Sequence, residues 1–328
     1  MQVTVFSCRE FDEKELFLSY GKQYGLKLVL CNEAPSLENV ELVTGSECVD
    51  ILTSKIDRNL AKAFADRGVK YLITRTIGYD HIDVKSCREF GITVGNAPYG
   101  PNGVADYTIM LLLMSIRKAK RIIERTNIQD YTLAGNLGKE LKDLTVGIIG
   151  TGRIGRTVIS NLSGFGCKIL AYDLYQSEQV KEKATYVSLE EMWKEADVIS
   201  LHTPLTEDNF HLINEDTLSK MKFGVVLINT ARGGLIDSEA LISAIETGKV
   251  GAAGLDVVED EFGLYYYDHK SDVLNNRALS VLRGFPNVTV THHMAFYTDN
   301  CVRTVVEDSL KSCKCFMEGK ENPWEIKS

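Results

Sequence analysis

The chain has 328 residues, of which 44% are hydrophobic and 25% charged, with a net charge of −8. That length favours two domains over one core, and the composition is that of a globular protein rather than a disordered one. A net negative chain does not hold a polyphosphate backbone by bulk charge, which argues against nucleic acid as the main partner.

The chain opens with acids at Glu10, Asp12 and Glu13, no basic flank and no long apolar run, so it does not read as a signal peptide. Short apolar runs at 3–6, 26–30, 50–53 and 70–73 alternate with amphipathic stretches such as 13–24 and 57–67. This predicts parallel strands joined by crossover helices, with both sheet faces covered. Residues 102–125 follow Pro101, carry Asn102 as an N-cap and predict one long helix that begins a second domain. Its most apolar part, 109–114, is too short to span a bilayer, so no membrane partner is expected. A second strand series is predicted at 146–149, 168–172, 198–201, 225–229, 252–255 and 288–291, with helices at 153–165, 189–196 and 238–247. Six strands with helices on both faces is the dinucleotide-binding pattern. A last helix, 299–318, is expected to return to the first domain and make it discontinuous.

The eight cysteines are widely and irregularly spaced, and Cys313 and Cys315 fall on different faces of that last helix. No CxxC pair is present for zinc or thiol exchange. We therefore expect reduced thiols, a cytoplasmic location and no metal.

The strongest motif is Gly150-Thr151-Gly152-Arg153-Ile154-Gly155, which follows an apolar strand and opens a helical pattern. Gly150 allows the tight turn, Gly152 lets backbone approach a pyrophosphate, and Gly155 lets helix and strand pack closely. The helix N-terminus offers N–H groups and a positive dipole end to the phosphates. Asp173 ends the next strand, 18 positions after Gly155. A carboxylate there accepts from the adenosine ribose hydroxyls and repels a 2′-phosphate, and Leu174 and Tyr175 supply no cation for one. The expected cofactor is NAD rather than NADP.

A nicotinamide enzyme that reduces a carbonyl needs a proton donor near the carbonyl oxygen and a cation for an acidic substrate. Of six histidines, His292 and His293 follow the last strand, where an open sheet faces its ligand. His202 is a rival, although Thr203-Pro204 beside it suggests a backbone role near the cofactor. Arg232 follows another strand and offers a planar fork for a carboxylate. Glu261 follows a third, and a carboxylate beside a histidine fixes its tautomer and favours its charged form.

These motifs resemble the D-isomer-specific 2-hydroxyacid dehydrogenases over nearly the whole chain. The resemblance rests on Gly150–Gly155 with Asp173, on the run from Asn229 through Arg232 to Asp237, on the run from Gly254 to Glu261, and on His293 before a terminal helix. It implies an α/β fold of two doubly wound parallel-sheet domains, with a Rossmann-type NAD domain at 101–296 and a discontinuous flavodoxin-like substrate domain at 1–100 and 297–328. It places the catalytic arginine, glutamate and histidine on Arg232, Glu261 and His293. Cofactor contacts fall on Arg153, Ile154, Asp173, Thr203, Pro204, Asn209, Thr230, Ala231 and Asp256, beside the glycines. The substrate-carboxylate loop falls on Arg75, Ile77 and Gly78, with Tyr99 and Phe296 at the pocket. The 32-position spacing from Glu261 to His293, with its Tyr-rich segment, resembles the D-lactate dehydrogenase branch, including the type found in glycopeptide resistance.

The family commonly has proline before the catalytic histidine, and here His292 stands there. Proline fixes φ, so its loss is expected to loosen the loop. The register of Met294-Ala295-Phe296 assigns the catalytic role to His293 rather than His292.

The resemblance implies NADH-dependent reduction of a 2-oxo acid to its D-2-hydroxy acid. Pyruvate is the first choice, with 2-oxoisocaproate and aryl pyruvates as alternatives, and the helix at 102–125 implies a homodimer. A rival of another class is an NAD-sensing, corepressor-like binding protein, against which the lack of long tails weighs.

Overall fold

In a computed structural model, which describes residues 1–327, the chain forms two compact units. One comprises Met1–Gly100 with the chain from Tyr297 onward, and the other Pro101–Phe296.

The first unit is a parallel sheet of β1 (Gln2–Val5), β2 (Lys27–Leu30), β3 (Cys48–Ile51), β4 (Tyr71–Thr74) and β5 (Thr93–Asn96), in the order β2-β1-β3-β4-β5. This is the flavodoxin-like doubly wound order. Every residue of β3 and β4 is buried, as the unbroken apolar runs predict. Helix Arg58–Asp66, capped by the Asp57 side chain on the Leu60 N–H, packs its Leu60, Ala61 and Phe64 into the core on one face. The terminal helix Asp299–Met317 packs with helix Lys14–Tyr24 and against β3 and β4. The sequence reading missed β5, a Thr-Val-Gly-Asn segment whose polar residues and glycine hide its strand character.

Arg75 requires a correction. It was expected among the substrate-binding residues, in a loop whose Ile77 and Gly78 amides would hold the acid, but its own guanidinium is sealed in the core. Its Nε donates to Glu13 Oε1 (3.1 Å), Nη1 to Asp50 Oδ1 (2.6 Å) and Nη2 to the carbonyls of Phe6 and Ser7, and the cation lies over the Phe17 ring. Burial works against the Arg75 cation, but Glu13 and Asp50 outweigh it and hold its pKa above the ordinary range. Burial pushes the Asp50 carboxyl up to about 6 in spite of Arg75. The arginine is therefore a structural counter-ion for two buried acids.

The second unit is a parallel sheet of β6 (Thr145–Ile149), β7 (Lys168–Tyr172), β8 (Thr185–Tyr186), β9 (Val198–Leu201), β10 (Val225–Asn229), β11 (Val250–Leu255) and β12 (Val288–Val290). The order β12-β11-β10-β9-β6-β7-β8 is the dinucleotide-binding arrangement with one strand added at the edge. The two-residue β8 was too short to read from the sequence. One face packs under helices Leu189–Glu195, Glu215–Lys220, Ser238–Glu246 and Arg277–Gly284, and the other under Asn102–Ile116 and Arg153–Leu162. The single helix expected over 102–125 is broken, because Lys118 adopts a left-handed φ of 55° and a second helix, Ala119–Asn127, starts after it. Asn102 lies inside the first helix, and Pro101 holds the cap position.

Strand register places the site. Tyr172 pairs with Ile149, Ile149 with Leu201, Leu201 with Asn229, Asn229 with Leu255, and Leu255 with Val290. Six strand ends thus form one row, and the loops beyond them share one edge of the sheet.

Replacing Arg75 by Met should leave Asp50 buried without its cation and Glu13 with Arg9 alone, and cost about 3–5 kcal/mol of stability. A lowered urea midpoint is the expected result. An unchanged midpoint with a raised KM for substrate would restore the ligand-binding role.

Candidate active site

The first loop of the row turns at Gly150, with φ of 94°. A Cβ on Gly155 would lie 1.9 Å from the Gly150 carbonyl oxygen, so only glycine lets helix Arg153–Leu162 approach β6 this closely. The helix starts at Gly152, which has no side chain to cap it, and a Cβ there would meet open space. Its first-turn N–H groups and dipole are therefore left for an anion. Asp173 Oδ2 accepts from the Thr151 N–H (2.5 Å) and Oγ1 (3.1 Å), and Oδ1 from the Tyr175 N–H (2.9 Å). These bonds fix the carboxylate beside the glycine turn, where a ribose would sit. Arg153 is exposed and Ile154 half-buried at the start of the helix. The chain therefore offers a dinucleotide a glycine cradle, an uncapped helix end and an acid.

After β9, His202 packs at this turn: a Cβ on Gly150 would lie 2.6 Å from the His202 carbonyl carbon. Burial pushes the His202 imidazole down to about 4, so it is neutral at pH 7, and its Nε2 hydrogen-bonds with Ser200 Oγ at 2.8 Å. It is not a proton donor for chemistry at neutral pH. Thr203 and Pro204 follow, and Asn209 fastens their loop by donating to the Pro204 carbonyl and accepting from the Thr206 N–H.

After β10 the Thr230 hydroxyl pairs with Thr108 at 2.8 Å. Asn229, a buried residue given no role by the sequence reading, closes the loop: Oδ1 accepts from the Ala231 N–H and Nδ2 donates to the Arg232 carbonyl. Both of these bonds hold the turn that carries Arg232, whose Nη1 also donates to the Ala231 carbonyl. A buried asparagine one step before the loop was the available signal.

After β11 and β12 lies the histidine pair. His293 Nδ1 stands 2.6 Å from Glu261 Oε1, and Glu261 Oε2 accepts from the Val258 N–H at 3.0 Å. His292, its rival, is exposed, with its ring edge-on to Tyr265. Phe296 stacks edge-to-face on His293. Asp256 is fully buried. Its Oδ1 accepts from Thr291 Oγ1 (2.6 Å) and the Met294 N–H (2.8 Å), Oδ2 from the Ala295 N–H (2.8 Å), and its carbonyl from the His293 N–H (2.7 Å). Asp256, expected beside the cofactor, thus pins the loop that carries His293.

In the first unit, the loop after β4 is shaped by Thr76 Oγ1 donating to the Gly78 carbonyl and Asn96 Nδ2 to the Ile77 carbonyl. The N–H groups of Ile77 and Gly78 donate to no other group among the described residues. Tyr99 is half-buried beyond β5. No group of three or more potential metal ligands occurs among the described residues.

Comparison with known proteins decides the family. The family model described as D-isomer specific 2-hydroxyacid dehydrogenase, NAD binding domain, matches residues 109–295. The chain belongs to this family, and its cofactor is NAD. It is 41% identical to an aromatic 2-oxoacid reductase of Clostridium sporogenes, over 94% of each chain. It is 39% identical to a D-specific alpha-keto acid dehydrogenase of Enterococcus faecium, over 98% of each. Its structure matches a D-lactate dehydrogenase with NAD+ from Lactobacillus jensenii with a TM-score of 0.86 and 32% identity, over 100% of each chain.

Replacing Asp173 by Ser should remove the ribose acceptor and lower kcat/KM for NADH by about 10–100-fold, the range of a hydrogen bond to a charged group. Steady-state kinetics with NADH and NADPH check this. Unchanged discrimination against NADPH would contradict the assignment.

Proposed function

We propose that this protein uses NADH to reduce 2-oxo acids to D-2-hydroxy acids, with pyruvate or a close relative as substrate. The observation that carries the proposal is the His293–Glu261 pair at 2.6 Å, set on the same row of strand ends as Arg232 and the dinucleotide cradle. Bound NADH supplies hydride to C2 of the keto acid. His293 gives its Nε2 proton to the ketone oxygen, while Glu261 holds Nδ1 and stabilises the imidazolium. Arg232 grips the carboxylate and polarises the ketone. The Ile77 and Gly78 amides are assigned to the same carboxylate, and Tyr99 and Phe296 to the substrate side chain. The cofactor contacts beside the glycines are Arg153, Ile154, Asp173, Thr203, Pro204, Asn209, Thr230 and Ala231.

A second reading of the substrate, an aryl or branched 2-oxo acid, is favoured by the Phe296 and Tyr266 rings beside His293 and by the 41% identity to the aromatic 2-oxoacid reductase. A kcat/KM panel over pyruvate, 2-oxoisocaproate and phenylpyruvate separates the two.

The protein is also proposed to be a cytoplasmic homodimer. Support for the dimer comes from apolar side chains standing in solvent on one continuous stretch: Ile123, Ile128, Tyr131, Leu133 and Leu137 are 55–89% exposed. So many large apolar side chains exposed within fifteen positions favour a protein interface. Light scattering should give twice the 36.6 kDa chain mass, and a monomer would contradict it.

His293→Ala should lower kcat at least about 100-fold, the scale of general acid catalysis, while His292→Ala stays near the parent rate. Near-normal turnover of the His293 variant would refute the mechanism.

A further inference from the structure

The long segment between Glu261 and His293 has no role in the mechanism above, and its geometry supplies one. Tyr266 Oη donates to the His293 carbonyl at 2.8 Å. The Tyr266 ring lies 6.5 Å from the His293 ring and edge-on to Phe296 at 6.4 Å. The preceding Tyr265 lies edge-on to the preceding His292 at 6.3 Å. Two consecutive tyrosines thus pack on two consecutive histidines.

The backbone on both sides of the Tyr266–His293 contact is held away from its preferred state. His293 has φ of 58° and Tyr266 has φ of 73°. For a bulky residue such as tyrosine this left-handed conformation is an outlier, costing on the order of 1–3 kcal/mol, and it persists only where the surroundings impose it. Around His293 those surroundings are its N–H to the Asp256 carbonyl, its Nδ1 to Glu261, its carbonyl from Tyr266, and the next N–H, that of Met294, to Asp256 Oδ1. Asp256 and Glu261 come from the loop after β11. Tyr266 is the one contribution among these from the long segment, and it holds the carbonyl side of the peptide whose N–H side Asp256 holds.

We propose that Tyr266 is a positioning residue, which clamps the left-handed His293 peptide and so aims the imidazole, in place of the proline that is absent at position 292. This inference rests on His293 as the proton donor. The two restraints act on the backbone either side of His293. A proline at 292 would fix the φ of the residue before it, whereas Tyr266 holds the carbonyl after it. The exchange is open in this chain because, among the described residues, the His292 N–H donates no hydrogen bond that a proline would remove.

The test is Tyr266→Phe, alone and combined with His292→Pro, with His293→Gln as the control on the underlying reading. Tyr266→Phe keeps the ring and loses only the donor. Its kcat should fall about threefold to tenfold, the scale of one hydrogen bond, with KM for NADH unchanged because the glycine cradle is untouched. Adding His292→Pro should return kcat to within about twofold of the parent, since one restraint replaces the other. A merely structural tyrosine would not be rescued in this way. If Tyr266→Phe binds NADH normally and keeps the parental kcat, or if the double variant is no better than the single one, the clamp is refuted. His293→Gln separates the two failures: its inactivity beside an unaffected Tyr266→Phe overturns only the clamp, whereas its activity overturns the proton-donor reading itself.

Discussion

A carboxylate out of reach of water organises the reactive end of this protein. Asp256 must have every oxygen satisfied, because a buried charge without hydrogen bonds is strongly unfavourable. It meets that demand with one hydroxyl and two N–H groups from residues 291–295, while its own carbonyl takes the His293 N–H. Satisfying the acid and fixing the loop are therefore one event. His293 enters the site in a left-handed conformation, and the Glu261 carboxylate then has a defined imidazole to hold.

The same economy appears across the row of strand ends. Parallel register sets Tyr172, Ile149, Leu201, Asn229, Leu255 and Val290 side by side, so residues well separated in the chain become neighbours. Three of the loops beyond the row are then fixed by a device of their own: glycine contact after β6, an asparagine side chain after β10, and the Asp256 carboxylate after β11. The sheet supplies proximity, and the loop devices supply aim. Rigid placement of this kind is what lets a general acid and a carboxylate anchor act together.

Much of this was legible in the sequence because it rests on residues with special local properties. Glycines at 150, 152 and 155, an acid at 173, and polar residues just past apolar runs announce themselves without a structure. What stayed hidden depends on partners remote in the chain. Arg75 sits next to a loop that looks like a carboxylate binder, and nothing local reveals that Glu13 and Asp50 fold around it. The hold of Asp256 on the His293 loop depends on residues 35 to 39 positions later. Strand β8 has two residues, which leaves no periodicity to read. The helix break at Lys118 carries neither glycine nor proline.

Geometry that fixes the imidazole, the guanidinium and the cofactor cradle on one sheet edge should present a keto acid to hydride from a single face. The most direct measurement is the chirality of the hydroxy acid made from pyruvate and NADH, read by chiral chromatography. The D enantiomer alone is predicted, and the L enantiomer, or a mixture of the two, would contradict the account.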